Sequence, residues 1–248
     1  MKSCSKIIFG SCDDRIGYRS RKTTLGPEWG LVENFVDTGI SELGHTTRRN
    51  KLAIFVEPSI DSGFPDLVLA EFRPDSYRCW VEDRNDLKTV DLKILALLYD
   101  LRGSDAKSLQ SAMGVRPSVV LKSLDRLCNA GLITHVQKTR RWTPVSLAKT
   151  FGIDRLIAIE AKVSNKQEVV EQAALDLWFA SESYTLTQAR PASMFRRRVR
   201  QAGVGIMVMT HKNVFRRYMG ARKFSIPHSY ASWQFNEWIG RRLNLNIR

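Results

Sequence analysis

The chain has 248 residues, of which 43% are hydrophobic, and it carries a formal net charge of +14. This length and composition indicate a globular protein with one good core or two small ones, and they argue against a disordered chain. No apolar run is long enough to span a membrane and the N-terminal apolar segment is too short for a signal peptide, so we expect a cytoplasmic protein.

Positive charge is concentrated toward the C-terminus. From position 190 onward the chain has thirteen Lys and Arg residues and one acid, Glu237. They fall in local clusters: Arg196-Arg197-Arg198, Arg200, Arg216-Arg217, Arg222-Lys223 and Arg241-Arg242. Such clusters predict a polyanionic partner, with DNA expected and RNA not excluded, because phosphate contacts are their simplest use. A solvated basic surface that adds solubility is the alternative.

The first element predicted along the chain is a helix that begins at Pro27, after a polar stretch without periodicity that we interpret as a loop or arm. Its apolar face consists of Trp29, Leu31, Val32, Phe35 and Val36. At helical spacing Glu28 falls inside this face and Glu33 falls at its margin. A first-turn Glu is also favoured by the helix dipole alone, so neither position is diagnostic by itself.

Two apolar strands follow, Lys51–Val56 and Phe64–Glu71, and we expect them to form a hairpin. The second strand carries Pro65-Asp66 at its start. Further on, Leu156–Val163 is predicted to be a strand in which Glu160 and Lys162 lie side by side on one face, because side chains alternate along a strand. An unpaired buried charge costs several kcal/mol, so we expect these two groups to be solvated, to pair with another group or to serve a function.

The segment between these strands is predicted to be a separate small domain. Helices are expected over 89–101, 104–114 and 117–130, followed by a hairpin of Leu132–Val136 and Trp142–Val145 with a basic turn. The order of elements and the phrase from Leu124 to Ile133 resemble a MarR-like winged helix-turn-helix. That resemblance implies that Arg116, Ser118 and Lys122 face the DNA major groove and that Lys138, Arg140 and Arg141 contact the backbone or minor groove. Winged helices also serve as protein-interaction or purely structural modules.

Together, Pro65-Asp66 and Glu160-Ala161-Lys162 resemble the signature of the PD-(D/E)XK nuclease superfamily, which has the restriction-endonuclease-like fold. The resemblance implies that Asp66, Glu160 and the main-chain carbonyl of Ala161 hold Mg2+ or Mn2+, while Lys162 positions the hydrolytic water. It also implies an assisting Glu on the first helix, Glu28 with Glu33 as the fallback. The long segment between the two halves departs from the family pattern.

The elements after the Glu-x-Lys strand also follow that family's order. A helix is expected over 165–180, then a strand at Ser183–Thr187, a basic helix at Ala192–Gln201 and a strand at Gly203–Met209. The resemblance assigns an assisting role to Gln172, although a solvent-facing helical Gln is equally consistent. Over 229–239 a last helix presents Tyr230, Trp233 and Trp238, which pack on the core or stack on bases.

The sequence therefore predicts an α/β protein with a restriction-endonuclease-like mixed sheet interrupted by a winged helix. The expected divisions are 1–85 and 149–211 for the nuclease-like domain, 86–148 for the insertion and 212–248 for a basic aromatic extension. The expected function is an Mg2+-dependent deoxyribonuclease, an endonuclease for preference, with basic helix residues Arg196, Arg197, Arg198 and Arg200 on the phosphate backbone. The alternative is a catalytically inactive DNA-binding regulator or assembly subunit, and a homodimer or partner protein remains open.

Overall fold

The computed structural model describes residues 6–10, 12–22, 25–44, 49–61, 63–164, 167–210, 213–226 and 228–245. Over these residues the protein is mixed α/β, with a seven-stranded mixed sheet, a two-stranded sheet and eight α-helices. It divides into two compact units: Met1–Phe72 with Ile153–Pro227, called the sheet unit, and Arg73–Gly152 with His228–Arg248, called the helical unit. No helix in the described ranges has both the length and the apolar character that crossing a bilayer requires.

The sheet unit is built on one sheet of seven strands: β1 (Lys6–Phe9), β2 (Lys51–Val56), β3 (Leu67–Phe72), β6 (Ile153–Lys162), β7 (Glu182–Thr187), β8 (Gly205–Met209) and β9 (Phe215–Met219). Their order across the sheet is β1-β2-β3-β6-β7-β8-β9. Strand β3 runs antiparallel to both of its neighbours, β2 and β6, whereas β6, β7 and β8 are parallel. The central strands are nearly continuous apolar runs because both faces of the sheet are covered.

Strand register determines where the polar ends of these strands meet. In the antiparallel pair of β3 and β6, Leu67 lies opposite Ile159. The next pair outward is therefore Asp66 and Glu160, on the same face of the sheet. On the other side of β3 the amide of Glu57 donates to the carbonyl of Asp66 at 3.0 Å. Three acidic residues thus stand in a row at one edge of the sheet.

Helices cover the two faces of this sheet. Helix α1 (Pro27–Asn34) and the turns that follow it pack on β2, β3 and β6, where Ile159 and Ala161 join their core. Helices α6 (Gln167–Leu175) and α7 (Ser193–Gln201) pack with β8 in a second apolar cluster. Because Ile159 and Ala161 belong to the α1 core, the intervening Glu160 points to the opposite face.

The N-terminal arm is more ordered than its sequence indicates. Strand β1 pairs in parallel with β2, and the fully buried Tyr18 places its hydroxyl 3.0 Å from the Phe9 carbonyl and 2.9 Å from the Val56 carbonyl. The Arg21 amide then donates to the Glu57 carbonyl at 3.0 Å. The arm was expected to be a loop because its ordered pieces are too short to show periodicity. It holds Arg21 beside the acidic edge.

The helical unit contains helices α2 (Thr89–Asp100), α3 (Ala106–Met113) and α4 (Pro117–Asn129), then the hairpin of β4 (Ile133–Val136) and β5 (Arg141–Pro144), the short α5 (Leu147–Thr150) and the C-terminal α8 (Tyr230–Leu245). Helix α8 packs on α2, and Trp233 stacks on Tyr99 with ring centres 5.4 Å apart. A buried ion pair joins Arg84 to Glu237.

The units divide the chain at other places than the sequence analysis expected. The chain passes between them after Phe72, Gly152 and Pro227 rather than at 85/86, 148/149 and 211/212. Helix α8 belongs to the helical unit and is not a free extension, because Trp233 and Trp238 are buried within that unit. Arg241 donates to the Arg84 and Leu87 carbonyls. Some of the C-terminal positive charge is therefore used for folding.

A buried charge network fixes the start of β6. Arg155 donates to Glu182 at 2.6 and 2.8 Å and to Glu71 at 3.0 Å, and it also reaches the carbonyls of Leu43 and Gly44. All three charged side chains are at least nine-tenths buried. The network joins β3, β6 and β7, and so it supports the strands that carry Asp66 and Glu160.

We predict that Arg155→Ala lowers the free energy of unfolding by about 3–5 kcal/mol, because it leaves two buried carboxylates without their cation. Urea denaturation followed by circular dichroism measures this loss. The matched control is Arg15→Ala, which removes an Arg side chain that is 70% exposed, and it should leave the urea midpoint unchanged. Equal midpoints for the two variants would contradict a structural role for the network.

Candidate functional site

The acidic edge of the sheet unit brings together residues that are distant in the sequence. Asp66 directly precedes β3 and is partly buried, with its side chain 15% exposed, and its Oδ2 accepts a hydrogen bond from the Ala161 amide at 2.8 Å. Glu160 is 7% exposed and lies across from Asp66 on β6. The two carboxylates predicted to share a cation are therefore neighbours on one face. The segment Arg73–Gly152 that separates them in the sequence belongs to the other unit.

Lys162 lies two residues beyond Glu160 and is paired with the first helix. Its Nζ donates to Oε2 of Glu28 at 2.8 Å, with the side chains 23% and 46% exposed. Pro27 starts α1 and so places Glu28 in its first turn. Glu33 is exposed on the same helix and makes no hydrogen bond or ion pair found among the described residues. The geometry thus favours Glu28 over Glu33.

Asp176 is a fourth buried acid that the sequence analysis missed. It follows α6 in a single 3-10 turn, is 6% exposed and interacts with the carboxyl group of Glu160. Its Oδ2 is buried and has no hydrogen-bond partner among the described residues. The sequence does contain a sign of this site, because Asp176 is an acid between apolar residues in Leu175-Asp176-Leu177-Trp178. The sequence analysis missed it because it placed the whole segment inside one helix that runs to residue 180.

Gln172 is not brought to the carboxylates. Helix α6 buries Val169, Val170 and Ala173, which leaves Gln172 exposed on the outward side. Its predicted assisting role therefore finds no support in the geometry, because the helix turns that position away from the sheet.

Arg21 and Glu57 form the other wall of the site. The Arg21 guanidinium donates twice to Oε1 of Glu57 and lies 3.9 Å from Oδ1 of Asp66. Glu57 has a φ of 45°, in the left-handed region that non-glycine residues rarely adopt, and its Oε2 is buried without a partner among the described residues. Strained backbone and unpaired buried oxygens of this kind concentrate at functional sites. Neither residue was predicted, because the arm and the end of β2 show no motif.

These residues border an open cleft. It has a volume of about 340 Å³ and is lined by Arg21, Glu28, Trp29, Glu57, Asp66 and Val163. One wall comes from the arm, one from α1 and one from the sheet edge. A ligand that entered the cleft would meet the guanidinium of Arg21 and the carboxylate of Asp66.

The electrostatics of the site reflect crowded, buried acids. Burial and the charges of Asp66 and Asp176 raise the pKa of Glu160. Burial also raises the pKa of Asp176, and burial outweighs the Ala161 hydrogen bond to raise the pKa of Asp66. The interaction between these two acids raises the pKa of Glu160 further and opposes the rise in the pKa of Asp176.

The same surroundings favour the charged form of Lys162. Burial lowers the pKa of Lys162, but its hydrogen bond to Glu28 and the nearby charges of Asp66 and Glu160 outweigh this effect and leave the pKa raised. The side chain is therefore a protonated ammonium at neutral pH. In that form it can donate hydrogen bonds and offset negative charge, but it cannot accept a proton.

The oxygen atoms of Asp66, Glu160 and Asp176 are of the kind that a hard divalent cation binds. Carboxylate and carbonyl oxygens are the ligands that Mg2+ and Mn2+ prefer, and the unpaired Oδ2 of Asp176 beside Glu160 offers a free lone pair. The described residues contain no group of three or more His, Cys, Asp or Glu side chains arranged to hold a metal ion. Asp66 and Glu160, with the Ala161 carbonyl as predicted, would be the holding residues.

The predicted nucleic-acid contacts lie on two surfaces. On α7 of the sheet unit Arg196, Arg197, Arg198 and Arg200 are all exposed. In the helical unit the predicted residues are also exposed: Arg116, Ser118 and Lys122 at the start of α4, Lys138 and Arg140 in the turn of the β4–β5 hairpin, and Arg141 at the start of β5. Arg141 also donates to the Gly103 carbonyl, so it is partly committed to structure.

Comparison with protein-family models gave no match, and neither did searches of curated proteins and of solved structures. The interpretation of the site therefore rests on its residues and their geometry.

We predict that replacing Asp176 with Asn makes the protein more stable, relative to wild type, as pH rises. The folded-state pKa of Asp176 is raised, so wild type loses stability as pH increases above about 4, where an unfolded Asp ionises. Asn cannot ionise and avoids this loss. The difference in unfolding free energy should grow by up to about 1.4 kcal/mol per pH unit until the folded-state pKa is passed. Urea titrations in EDTA from pH 4 to 8 measure it, and a difference that stays constant would contradict the prediction.

Proposed function

We propose that this chain is a metal-dependent nuclease that hydrolyses phosphodiester bonds of DNA and is related to the PD-(D/E)XK superfamily. The observation that carries the proposal is the juxtaposition of Asp66 and Glu160 on adjacent strands with Lys162 two residues further on. A further support is topology: one helix, an antiparallel set of β2, β3 and β6, then helix α6 and the parallel β7 follow the order of that family's core.

In this proposal Asp66, Glu160 and the Ala161 carbonyl would hold one Mg2+ or Mn2+, and such an ion would supply Lewis-acid chemistry for phosphodiester hydrolysis. The Lys162 ammonium orients the attacking water and offsets charge that develops on the phosphate. Glu28 fixes the position of Lys162 through their 2.8 Å hydrogen bond. Arg21, half exposed at the wall of the cleft, offers donors to the substrate phosphate.

The substrate class is supported by charge. The chain is strongly basic, and exposed arginines of α7 and exposed cations of α4 and its hairpin suit a phosphate backbone. Helices α2, α3 and α4 followed by the β4–β5 hairpin support a winged-helix role for the helical unit, with α4 in the major groove. Backbone contacts do not separate DNA from RNA, and the assay below includes both.

We predict that Lys162→Ala reduces Mg2+-dependent cleavage of supercoiled DNA by at least ~100-fold and changes DNA affinity by no more than a few-fold, because the side chain acts on the reacting phosphate. Nicking measured by gel electrophoresis and binding measured by anisotropy in EDTA test both parts. Linear, branched and single-stranded DNA and an RNA of matched sequence complete the substrate panel.

The matched control is Lys149→Ala, which removes an exposed Lys in the helical unit and should cleave as wild type does. EDTA should abolish cleavage by wild type. A fully active Lys162→Ala variant would refute the assigned role of this residue, whatever the substrate.

A second candidate function is a nucleic-acid-binding regulator or assembly subunit without catalysis. It is favoured by the lack of a three-residue metal-ligand group among the described residues and by the pairing of Arg21 with Glu57 beside the acids. Binding to DNA without cleavage, in Mg2+, in Mn2+ and in EDTA alike, would select this function over the nuclease.

The helical unit gives a separate prediction for DNA binding. The double variant Arg116→Ala with Lys122→Ala should reduce the slope of log affinity against log salt concentration by about 2, because each lost phosphate contact removes roughly one unit. Titrations over 50–200 mM salt, about the range in which this term dominates, measure the slope. The control pair Arg78→Ala with Lys149→Ala removes the same charge at exposed positions outside α4, and a matching loss of slope there would exclude docking through α4.

A further inference from the structure

A second concave feature of the sheet unit lies apart from the carboxylates. It is a groove of about 360 Å³ between the end of α7 and the segment that follows β9. Helix α7 ends just before β8 begins, whereas Glu160 and Lys162 lie at the end of β6, which runs parallel to β7 and β8. The groove is therefore at the opposite edge of the sheet from the cleft.

The walls of this groove are held by backbone hydrogen bonds. Gly203 ends α7 with a φ of 74°, and its carbonyl accepts from the Arg222 amide at 2.9 Å. The Phe224 amide donates to the Ser181 carbonyl at 2.9 Å. At Gly220 an added Cβ would meet nothing within 4 Å. The segment from 220 to 224 is thus fixed to the sheet and leaves open space above its backbone.

Arginine and exposed aromatic rings occur together along this groove. Arg200 and Arg222 line it, none of its lining residues is acidic, and the Arg222 guanidinium carbon lies 5.0 Å from the centre of the Phe224 ring. Phe224 is 40% exposed. Next to the groove, on β9, Tyr218 is 45% exposed and its hydroxyl lies 3.2 Å from Nη1 of Arg196.

Arginines and exposed aromatic rings in one groove favour one class of ligand over others. A basic surface alone binds any polyanion, but a basic groove with accessible aromatic faces is suited to unpaired nucleotides, whose phosphates meet arginine and whose bases stack on the rings. In a duplex the base faces are covered by their neighbours, so Phe224 would have nothing to stack on. An acidic peptide offers charge but no extended ring.

We propose that the groove of Arg200, Arg222 and Phe224, extended by Arg196 and Tyr218, binds a single strand of nucleic acid. Bases stack on Phe224 and Tyr218, and the phosphates contact the three arginines. The groove shares no residue with the cleft. The proposal depends on the nuclease function in one respect: it names a part of the substrate that such an enzyme would hold.

Binding of a fluorescein-labelled oligothymidylate of about fifteen nucleotides, measured by anisotropy in EDTA, tests the groove without cleavage. Phe224→Ala should weaken single-strand binding by roughly 5- to 150-fold, the range expected for loss of one stacked base, and change the affinity for a labelled duplex by less than twofold. Phe224→Trp should retain single-strand affinity because it keeps a stacking surface. Circular dichroism melting checks that each variant is folded.

The matched control is Leu175→Ala, which removes an apolar side chain, 70% exposed, from α6 and should leave both affinities unchanged. Equal effects of Phe224→Ala on single strand and duplex, no effect on either, or failure of Trp to restore binding would overturn the proposal. Displacement of the oligonucleotide by polyglutamate at equal charge concentration would do so as well, because it would show that charge alone is recognised.

The two proposals fail separately. If wild type never cleaves with Mg2+ or Mn2+ but Phe224→Ala loses single-strand affinity, the nuclease function falls and the groove stands. If wild type cleaves and Phe224→Ala binds the single strand as wild type does, the groove falls and the nuclease function stands.

Discussion

The antiparallel pairing of β3 with β6 is the contact on which the candidate site depends. It sets Asp66 opposite Glu160 although the entire helical segment Arg73–Gly152 is inserted between them. A shift of one residue in this register would turn one carboxylate to the other face, because side chains alternate along a strand. The buried Arg155 network at the far end of the same strands opposes such a shift, since Glu71 and Glu182 would each lose their cation.

The sheet unit contains two groups of buried charged side chains, and they differ in how the cost of burying the charges is compensated. Around Arg155 the acids are compensated by a guanidinium with near-ideal hydrogen bonds, which is a structural solution. Where β3 begins and β6 ends, Asp66, Glu160 and Asp176 crowd together and burial raises the pKa of each, while Asp176 and Glu57 each keep an oxygen without a hydrogen-bond partner among the described residues. This arrangement costs stability, and it is consistent with the cation site that we propose.

The fold divides the basic residues into those that stabilise the structure and those that are exposed, which the sequence does not show. The residue count indicates a basic C-terminal segment, yet Arg241 is partly buried and donates to main-chain carbonyls of the helical unit, and Glu237 is paired with Arg84. Among the described residues, exposed cations are grouped on α7, on β9 and the segment after it in the sheet unit, and on α4 and its hairpin in the helical unit. These groups are accessible to a phosphate backbone.

The sequence by itself determined the local elements: apolar alternation predicted β2, β3 and β6, helical periodicity and capping residues predicted α1 to α4, and the Pro-Asp and Glu-x-Lys motifs identified Asp66, Glu160 and Lys162. Tertiary structure alone decided the partners. Asp176, Glu57 and Arg21 join the site, Gln172 is turned outward, and α8 joins the helical unit. The reason is physical: motifs and periodicity report on neighbours along the chain, whereas register, helix rotation and burial depend on contacts between segments distant in sequence.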